Sequence, residues 1–284
     1  MALIWGVNFS VVKWGATALA PLSYNAVRVA LAASSLVLVA QFWTWRAGPV
    51  ASGWPAPRDA LALVGLGTLG NGLYQIFFIE GLSRTRASDA ALVIASTPAF
   101  IALLGRMRGT ERIAPRAVGG IVLSILGIGL VVLGSAHAGA AKQASLIGDL
   151  LILSGCMCWA VFTILLQPYT HRVSGLHLSA LTMAGGLLPL VVVALPSLAA
   201  TAWTRVPPSA WGAIAYSGFG ALVLAYLFWY RGVRVLGPTR TAMYSNLQPV
   251  FAVIVAWLSL GETPTPWQGA GAAAIITGLL LTRA

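Results

Sequence analysis

Polar and aromatic side chains recur deep inside the long apolar runs of this chain. Amide, hydroxyl and indole groups need hydrogen-bond partners in an apolar environment, so they normally face a bundle interior or a wet cavity. Aromatic walls with a few amides would hold a small amphipathic ligand. The candidate ligand-binding residues are Trp5, Asn8, Lys13, Tyr74, Gln75, Phe78, Trp159, Phe162, Tyr226, Trp229, Tyr244 and Asn246. The alternative for any one of them is an interhelical hydrogen bond or an interfacial aromatic belt.

Charged side chains are scarce inside these runs. Lys13 lies well inside the first run, where it could attract a substrate carboxylate or extend to the membrane surface. Arg28 lies near the start of the second run, and there we expect it to extend to the surface. The acidic residues all lie at run ends or in loops, which argues against a carboxylate cation site or a buried proton relay.

The remaining reactive residue types form no catalytic or metal-binding pattern. Cys156 and Cys158 lie in one apolar run, and their i,i+2 spacing points them to different sides of a helix. The three histidines lie in or near loops without ligand spacing. A GxGxxG match at residues 65–70 has no preceding strand and lies in an apolar helix. We therefore expect no enzyme, no metal and no cofactor.

The elements that carry these residues follow from composition. Hydrophobic residues make up 58% of the 284 and charged residues 8%, with a mean hydropathy of +0.86, which leaves too little polar surface for a water-soluble globule. The net charge of +11 is spread over short gaps between runs, so the expected partner is the lipid bilayer and not nucleic acid. Runs of membrane-spanning length predict ten transmembrane helices at 2–19, 22–43, 59–80, 86–106, 115–134, 147–168, 175–198, 208–231, 238–260 and 265–283.

The chain contains an internal repeat. An offset of 151 residues places 81–131 on 232–282 and aligns Pro98 with Pro249; a weaker offset of 154 aligns Trp5 with Trp159. Each copy would hold five helices, and because five is odd the second copy enters the membrane in the opposite sense. The predicted fold is an all-α membrane protein of two inverted five-helix repeats, at 1–134 and 147–284, joined by a periplasmic linker at 135–146.

Two features of the repeat indicate how its helices work. Pro98 and Pro249 lie about half way through their runs, each after a polar cluster, and each leaves a carbonyl free. They predict a hinge or a substrate-facing carbonyl, and the alternative is a static kink. The last run of each half is nearly free of polar groups and rich in glycine, which suits close packing within the scaffold or at a dimer contact. We expect a monomer or a weak homodimer.

Basic residues predict the orientation in the membrane. Eleven lie on the side that both termini share, and four lie on the other side, at Arg84, Arg86, Lys142 and Arg205. Loops rich in Lys and Arg stay in the cytoplasm, so both termini are expected there.

The assembled pattern resembles the drug/metabolite transporter superfamily, specifically its ten-helix EamA-type members. Its most specific pieces are the opening segment 5–9, the loop 261–264 with the glycines after it, and the paired prolines. Within that superfamily the chain is most similar to YddG-type exporters of aromatic and other neutral amino acids. The resemblance implies two EamA repeats, a central cavity formed by helices 1, 3, 4, 6, 8 and 9, and efflux across a bacterial inner membrane.

The resemblance identifies the fold better than the substrate. The candidate lining has many aromatics and amides and few charges, which suits neutral amino acids better than phosphates. We therefore predict a secondary transporter that exports amino acids by alternating access. The alternatives are transport of another metabolite or drug class, a passive channel, and a scaffold without transport.

Overall fold

A computed structural model describes residues 1–47, 54–109, 115–136 and 142–283, and these residues are almost entirely helical, with no strand among them. Two π-helical segments, Thr68–Leu73 and Tyr216–Leu224, and two 3-10 turns, Trp203–Arg205 and Ser245–Leu247, interrupt the α-helices. The α-helices are α1 (Ala2–Ala18), α2 (Pro21–Ala47), α3 (Pro57–Gly67), α4 (Tyr74–Arg84), α5 (Ala87–Ile94), α6 (Thr97–Met107), α7 (Pro115–Ala136), α8 (Lys142–Thr170), α9 (Gly175–Ala200), α10 (Pro208–Ala215), α11 (Ala225–Leu236), α12 (Pro238–Tyr244), α13 (Gln248–Leu260) and α14 (Pro266–Arg283).

Membrane-spanning character is strong in much of the described chain. Six helical stretches are long and apolar enough to cross a bilayer, at Pro21–Arg46, Pro57–Arg84, Ala87–Met107, Leu146–Thr170, Gly175–Ala200 and Pro208–Leu236. Val118–Val131 and Gln248–Leu260 are shorter apolar helices. The fold is that of a helical membrane protein, whereas the count of ten spans in two inverted repeats stays a prediction.

Proline and glycine set many of the helix limits. Among the described helices, six begin at a proline, namely α2, α3, α7, α10, α12 and α14. Proline suits this position because the first N–H of a helix has no intrahelical acceptor. Gly237 after α11 and Gly261 after α13 have φ of 84° and 68°, a left-handed conformation that glycine adopts without strain.

The two halves leave regular α geometry at aligned positions. The offset of 151 places the first π segment on residues 219–224, which lie in the second π segment. It also places the break between α5 and α6, at residues 95–96, within the turn Ser245–Leu247 that separates α12 from α13. Both interruptions occur in helices that carry candidate site residues.

The glycine-rich helices α7 and α14 pack against each other. A Cβ atom on Gly127 would lie 2.8 Å from the Gly271 carbonyl oxygen, and one on Gly278 would lie 2.3 Å from that of Gly120. Such distances exclude any side chain, so glycine lets the two backbones touch. These glycines therefore form a contact between two helices of the same chain.

The core consists of two main clusters of buried side chains. One contains Trp159, Tyr226 and Trp229, and the other contains Phe9 and Phe78. Helix α1 packs on α13, α2 on α9, and α4 on α8, so each contact joins the two halves of the sequence. The candidate site lies where these clusters meet.

Candidate functional site

A cavity lies between the two core clusters. Its volume is about 60 Å³, well below the roughly 300–1,000 Å³ of pockets that hold small organic ligands. The structure therefore has the cavity in a contracted state, and a ligand larger than a few water molecules requires its walls to move apart. Its lining comes from both halves: Trp5, Asn8, Phe9, Arg28, Tyr74, Gln75, Phe78, Ile94, Thr97, Trp159, Ala221, Leu222, Tyr226, Ser245 and Gln248.

Aromatic rings in mutual contact form much of the wall. Trp5 meets Trp159 edge-on, with ring centroids 6.4 Å apart, and it meets Tyr226 at 5.9 Å. Tyr74 lies 5.1 Å from Trp159. The Trp5 indole N–H donates to the Ala221 carbonyl at 2.9 Å, which ties α1 to the second π segment. Edge-on and tilted ring pairs of this kind stabilise the wall.

Helical spacing explains why these residues share one cavity. Trp5 and Asn8 are three residues apart on α1, and Tyr74 and Phe78 are four apart on α4, so each pair lies on one helix face. Both pairs line the cavity.

Pro98 and Pro249 lie in the first turn of α6 and α13, directly after helix breaks. They are not inside continuous helices, because a proline ring excludes the helical bond to the carbonyl four residues earlier. The expected free carbonyl is occupied: Thr97 Oγ1 donates to the Ile94 carbonyl at 2.7 Å. Thr97 and Gln248, one residue before each proline, line the cavity.

Arg28 lies at the centre of a buried hydrogen-bond chain. Its Nε donates to Asn25 Oδ1 and its Nη2 donates to Gln75 Oε1, both at 2.7 Å. The Asn25 amide donates to the Gln75 carbonyl at 2.9 Å. Arginine can only donate, so the Gln75 side-chain oxygen must face it and Gln75 Nε2 must face the Tyr226 hydroxyl, at 3.5 Å. The guanidinium is thereby held in one orientation.

No carboxylate among the described residues pairs with Arg28. Its Nη1 has no hydrogen-bond partner in that part of the chain, and the Phe78 ring lies 5.6 Å from Cζ. The described carboxylates bond elsewhere: Asp59 to Arg172, Glu80 to Arg84, Asp89 to Gln268, Asp149 to Thr85, and Glu262 to Arg86. Arg28 is thus a buried cation whose counter-charge is not supplied by these groups.

Lys13 lies apart from the cavity, contrary to the expectation that it meets substrate or extends to the surface. Its Nζ donates to the carbonyls of Leu82, Ser83 and Thr85, at 2.8, 3.3 and 2.5 Å. These are the unpaired carbonyls at the C-terminal end of α4, where the helix dipole favours a cation. Lys13 therefore caps a helix.

Among the described side chains, three other candidates do not line the cavity. Phe162 and Trp229 are buried behind it, each with its ring against Trp159, at 5.3 and 5.5 Å. Tyr244 is 59% exposed, so its ring points away from the core. The side chain of Asn246 lies outside the described residues. The other candidates, Trp5, Asn8, Tyr74, Gln75, Phe78, Trp159 and Tyr226, meet at the cavity.

Arg28 lines the cavity, although the sequence did not identify it as a site residue. We expected its side chain at the membrane surface, whereas it is 1% exposed. The available signal was Asn25, three residues earlier, since two polar groups on one face of a membrane helix indicate an inward face. For the direction of the Arg28 side chain, the nearby Asn25 was a better indicator than the position of Arg28 within its apolar run.

The comparisons with known proteins agree with this architecture. The chain is 33% identical to an uncharacterized transporter of Archaeoglobus fulgidus over 99% of this chain and 94% of that protein. It is 26% identical to a probable terminal-alkyne amino-acid exporter of Streptantibioticus cattleyicolor over 98% of this chain and 92% of that protein. A solved crystal structure superimposes with a TM-score of 0.69 at 19% identity, covering 99% of this chain and 95% of that one, which shows a shared fold.

A family match covers both halves of the sequence. Residues 1–133 and 146–284 each fit the description EamA-like transporter family. This confirms the resemblance drawn from the repeat and its motifs, and the proteins of this group are transporters, not enzymes. With its helical membrane fold, the chain belongs to the EamA-like transporter family.

Proposed function

We propose that this protein exports aromatic and other neutral amino acids across a bacterial inner membrane by alternating access. Two inverted five-helix halves, 1–134 and 147–284, would rock against each other and open the cavity to each side in turn. The linker at 135–146 would lie in the periplasm; its residues 137–141 lie outside the described part of the chain. Both termini would be cytoplasmic, as the basic residues predict.

One observation carries the proposal: aligned residues of the two halves face each other at the cavity. Trp5 and Trp159, equivalent at an offset of 154, are in ring contact. Gln75 and Tyr226, equivalent at 151, share a hydrogen bond. Contacts between equivalent residues are expected at a two-fold axis, and inverted-repeat transporters bind substrate on such an axis near the midplane.

The lining supports amino acids as the substrate class. Aromatic rings offer an apolar surface, amides offer donors and acceptors, and Arg28 is the one cation among the described residues that line the cavity. A phosphorylated metabolite would require several Arg or Lys side chains at this depth. The relative named as a probable exporter of an alkyne-bearing amino acid favours the same class.

We propose Pro98 and Pro249 as hinges, since each follows a helix break at an aligned position. Replacing a proline by alanine favours a continuous helix. If the halves exchange roles, Pro98→Ala and Pro249→Ala will shift the balance of open states in opposite directions. Distances between spin labels across each mouth will report the shift, and unchanged distances in both variants would make the breaks static.

The orientation has its own test. In a background without Cys156 and Cys158, a single cysteine at Arg84 should react with an impermeant maleimide added to intact cells. A cysteine at Arg234 should stay unlabelled until the membrane is opened. The reverse pattern would place the termini outside the cytoplasm.

Counterflow of labelled L-phenylalanine in proteoliposomes tests the transport function. We expect accumulation with the wild type and loss with Trp159→Ala, whose indole is 7% exposed at the cavity. Trp257→Ala is the matched control, because that indole is 54% exposed on α13 and should be dispensable. Absence of amino-acid counterflow would overturn the proposal, and an amino-acid-independent ion current would indicate a channel.

A further inference from the structure

We propose that Arg28 anchors the carboxylate of the transported molecule, an inference that rests on the proposed transport function. The guanidinium is 1% exposed, lines the cavity, and has no partner at Nη1 within the described part of the chain. A buried charge without a counter-charge is costly. A ligand carboxylate that enters the cavity would supply the counter-charge.

The hydrogen bonds around Arg28 leave its Nη1 without a partner in the described part of the chain. Asn25 engages Nε and Gln75 engages Nη2, which holds the guanidinium plane and leaves both N–H groups of Nη1 unused. These two charged N–H groups are donors that a carboxylate can accept from. The Tyr226 hydroxyl accepts from Gln75, so its own hydrogen can donate to the same ligand.

A second unpaired atom lies at the same cavity. Asn8 Oδ1 is buried and has no hydrogen-bond partner in the described residues. It can accept from an ammonium group, which the neighbouring Trp5 and Trp159 faces would also attract. A carboxylate donor set, an ammonium acceptor and an aromatic wall together fit a zwitterionic α-amino acid with an apolar side chain.

The two charged groups of an α-amino acid distinguish it from amines, amides and arylacetates that carry the same ring. An amine without a carboxylate would add a second cation beside Arg28. An amino-acid amide would leave the guanidinium without a counter-charge. An arylacetate would pair with Arg28 but leave Asn8 Oδ1 unused. The expected affinity order is therefore amino acid, then arylacetate, then the amide and the amine.

Binding to purified protein in lipid nanodiscs tests this order. The probes are L-phenylalanine, phenylacetate, L-phenylalaninamide and phenethylamine, which share one ring and differ in the two charged groups. We expect L-phenylalanine to bind at least about 30-fold more tightly than its amide, since loss of one partner of a buried charge pair weakens binding by this much or more.

Two variants connect the preference to Arg28. Arg28→Gln should remove the difference between L-phenylalanine and its amide. Arg28→Lys keeps the charge but not the fork and should retain part of the difference. If both variants fail to fold, the comparison of the four probes on the wild type still decides the matter. Equal affinity for L-phenylalanine and its amide overturns the carboxylate anchor.

The outcomes for anchor and function are distinct. Counterflow of L-phenylalanine with no preference for the carboxylate would overturn the anchor and leave amino-acid export standing. Arg28-dependent binding of phenylacetate without any amino-acid counterflow would overturn amino-acid export and support the anchor. Failure of every carboxylate probe to bind the wild type would overturn both.

Discussion

Lys13 and Arg28 are two cations inside apolar helices, and the structure uses them differently. Lys13 caps α4 through three backbone carbonyls. Arg28 bonds to two side-chain amides, and its Nη1 has no hydrogen-bond partner among the residues that the structure describes. A compact ammonium suits a cluster of carbonyls, whereas a planar guanidinium can be oriented on one edge and bind on another. Under the proposed role of Arg28, the number of donors left unused would separate a structural cation from a binding one.

A carboxylate placed beside Arg28 within the protein should abolish the proposed binding of substrate by Arg28. Gln75→Glu places an anion where an oxygen already lies 2.7 Å from Nη2. The new ion pair should raise thermal stability and lower affinity for L-phenylalanine by about 100-fold, because the guanidinium is no longer in need of a counter-charge. Ligand binding and melting temperature, measured on one preparation, check both effects.

Gln41→Glu is the matched control for this substitution. Gln41 is exposed, and its side-chain oxygen accepts from the Trp54 indole and not from Arg28. The same change there adds a carboxylate that is not bonded to Arg28. It should alter neither quantity. Wild-type affinity in Gln75→Glu would mean that Arg28 does not contact substrate.

Lys13 should show the opposite behaviour. Lys13→Met leaves the carbonyls at the end of α4 without a donor and should lower the free energy of unfolding by about 1–2 kcal/mol. Affinity of the folded fraction for L-phenylalanine should remain. Detergent-induced unfolding and binding measure the two. Arg84→Met, which removes an exposed partner of Glu80, is the control and should cost less than about 1 kcal/mol.

A fall in affinity as large as that of the Arg28 variants would show that Lys13 contacts substrate after all. Lys13 would then cap α4 in the conformation that the structure shows and contact substrate in another conformation. Binding measured on Lys13→Arg, which can still donate to carbonyls, would distinguish loss of the cap from loss of a substrate contact.

Local sequence pattern predicts much of this fold but not the direction of every side chain. Composition, run length and the repeat were sufficient for the helical membrane fold and for most aromatic lining residues, because these depend on local pattern. The direction that each side chain faces depends on helix rotation, which long-range packing sets. Tyr226 and Tyr244 looked equivalent in the sequence, yet one is 2% exposed and the other 59%.

The two cations show why the remainder was out of reach. The acceptor for Lys13 is the end of another helix, 69 to 72 residues away in sequence, and Gln75, the more distant of the two partners of Arg28, is 47 residues away. Neither separation has a sequence signature. The helix breaks before Pro98 and Pro249 were located better, since proline acts on its own chain.

Asn25 should act on binding only through Arg28. Asn25→Leu removes the acceptor for Nε, so the guanidinium is less firmly oriented. We expect about tenfold weaker binding of L-phenylalanine, the value of one hydrogen bond to a charged group, and no change for L-phenylalaninamide. A purely structural role would weaken both ligands equally, so the ratio of the two affinities is the informative measurement.

The ring beneath Arg28 should have the smallest effect. Phe78 lies 5.6 Å from Arg28 Cζ, and a cation–π contact of this kind is worth about 0.5–1 kcal/mol. Phe78→Leu should therefore weaken L-phenylalanine binding by roughly two- to fivefold. Phe42→Leu is the control, because Arg46 lies at the same 5.6 Å over Phe42 but that ring is 52% exposed. Equal effects of the two substitutions would show that the Phe78 contact adds nothing to the proposed role of Arg28. Because Phe78 also lines the cavity, a loss of affinity that is larger for L-phenylalanine than for L-phenylalaninamide is the result that ties the ring to the cation.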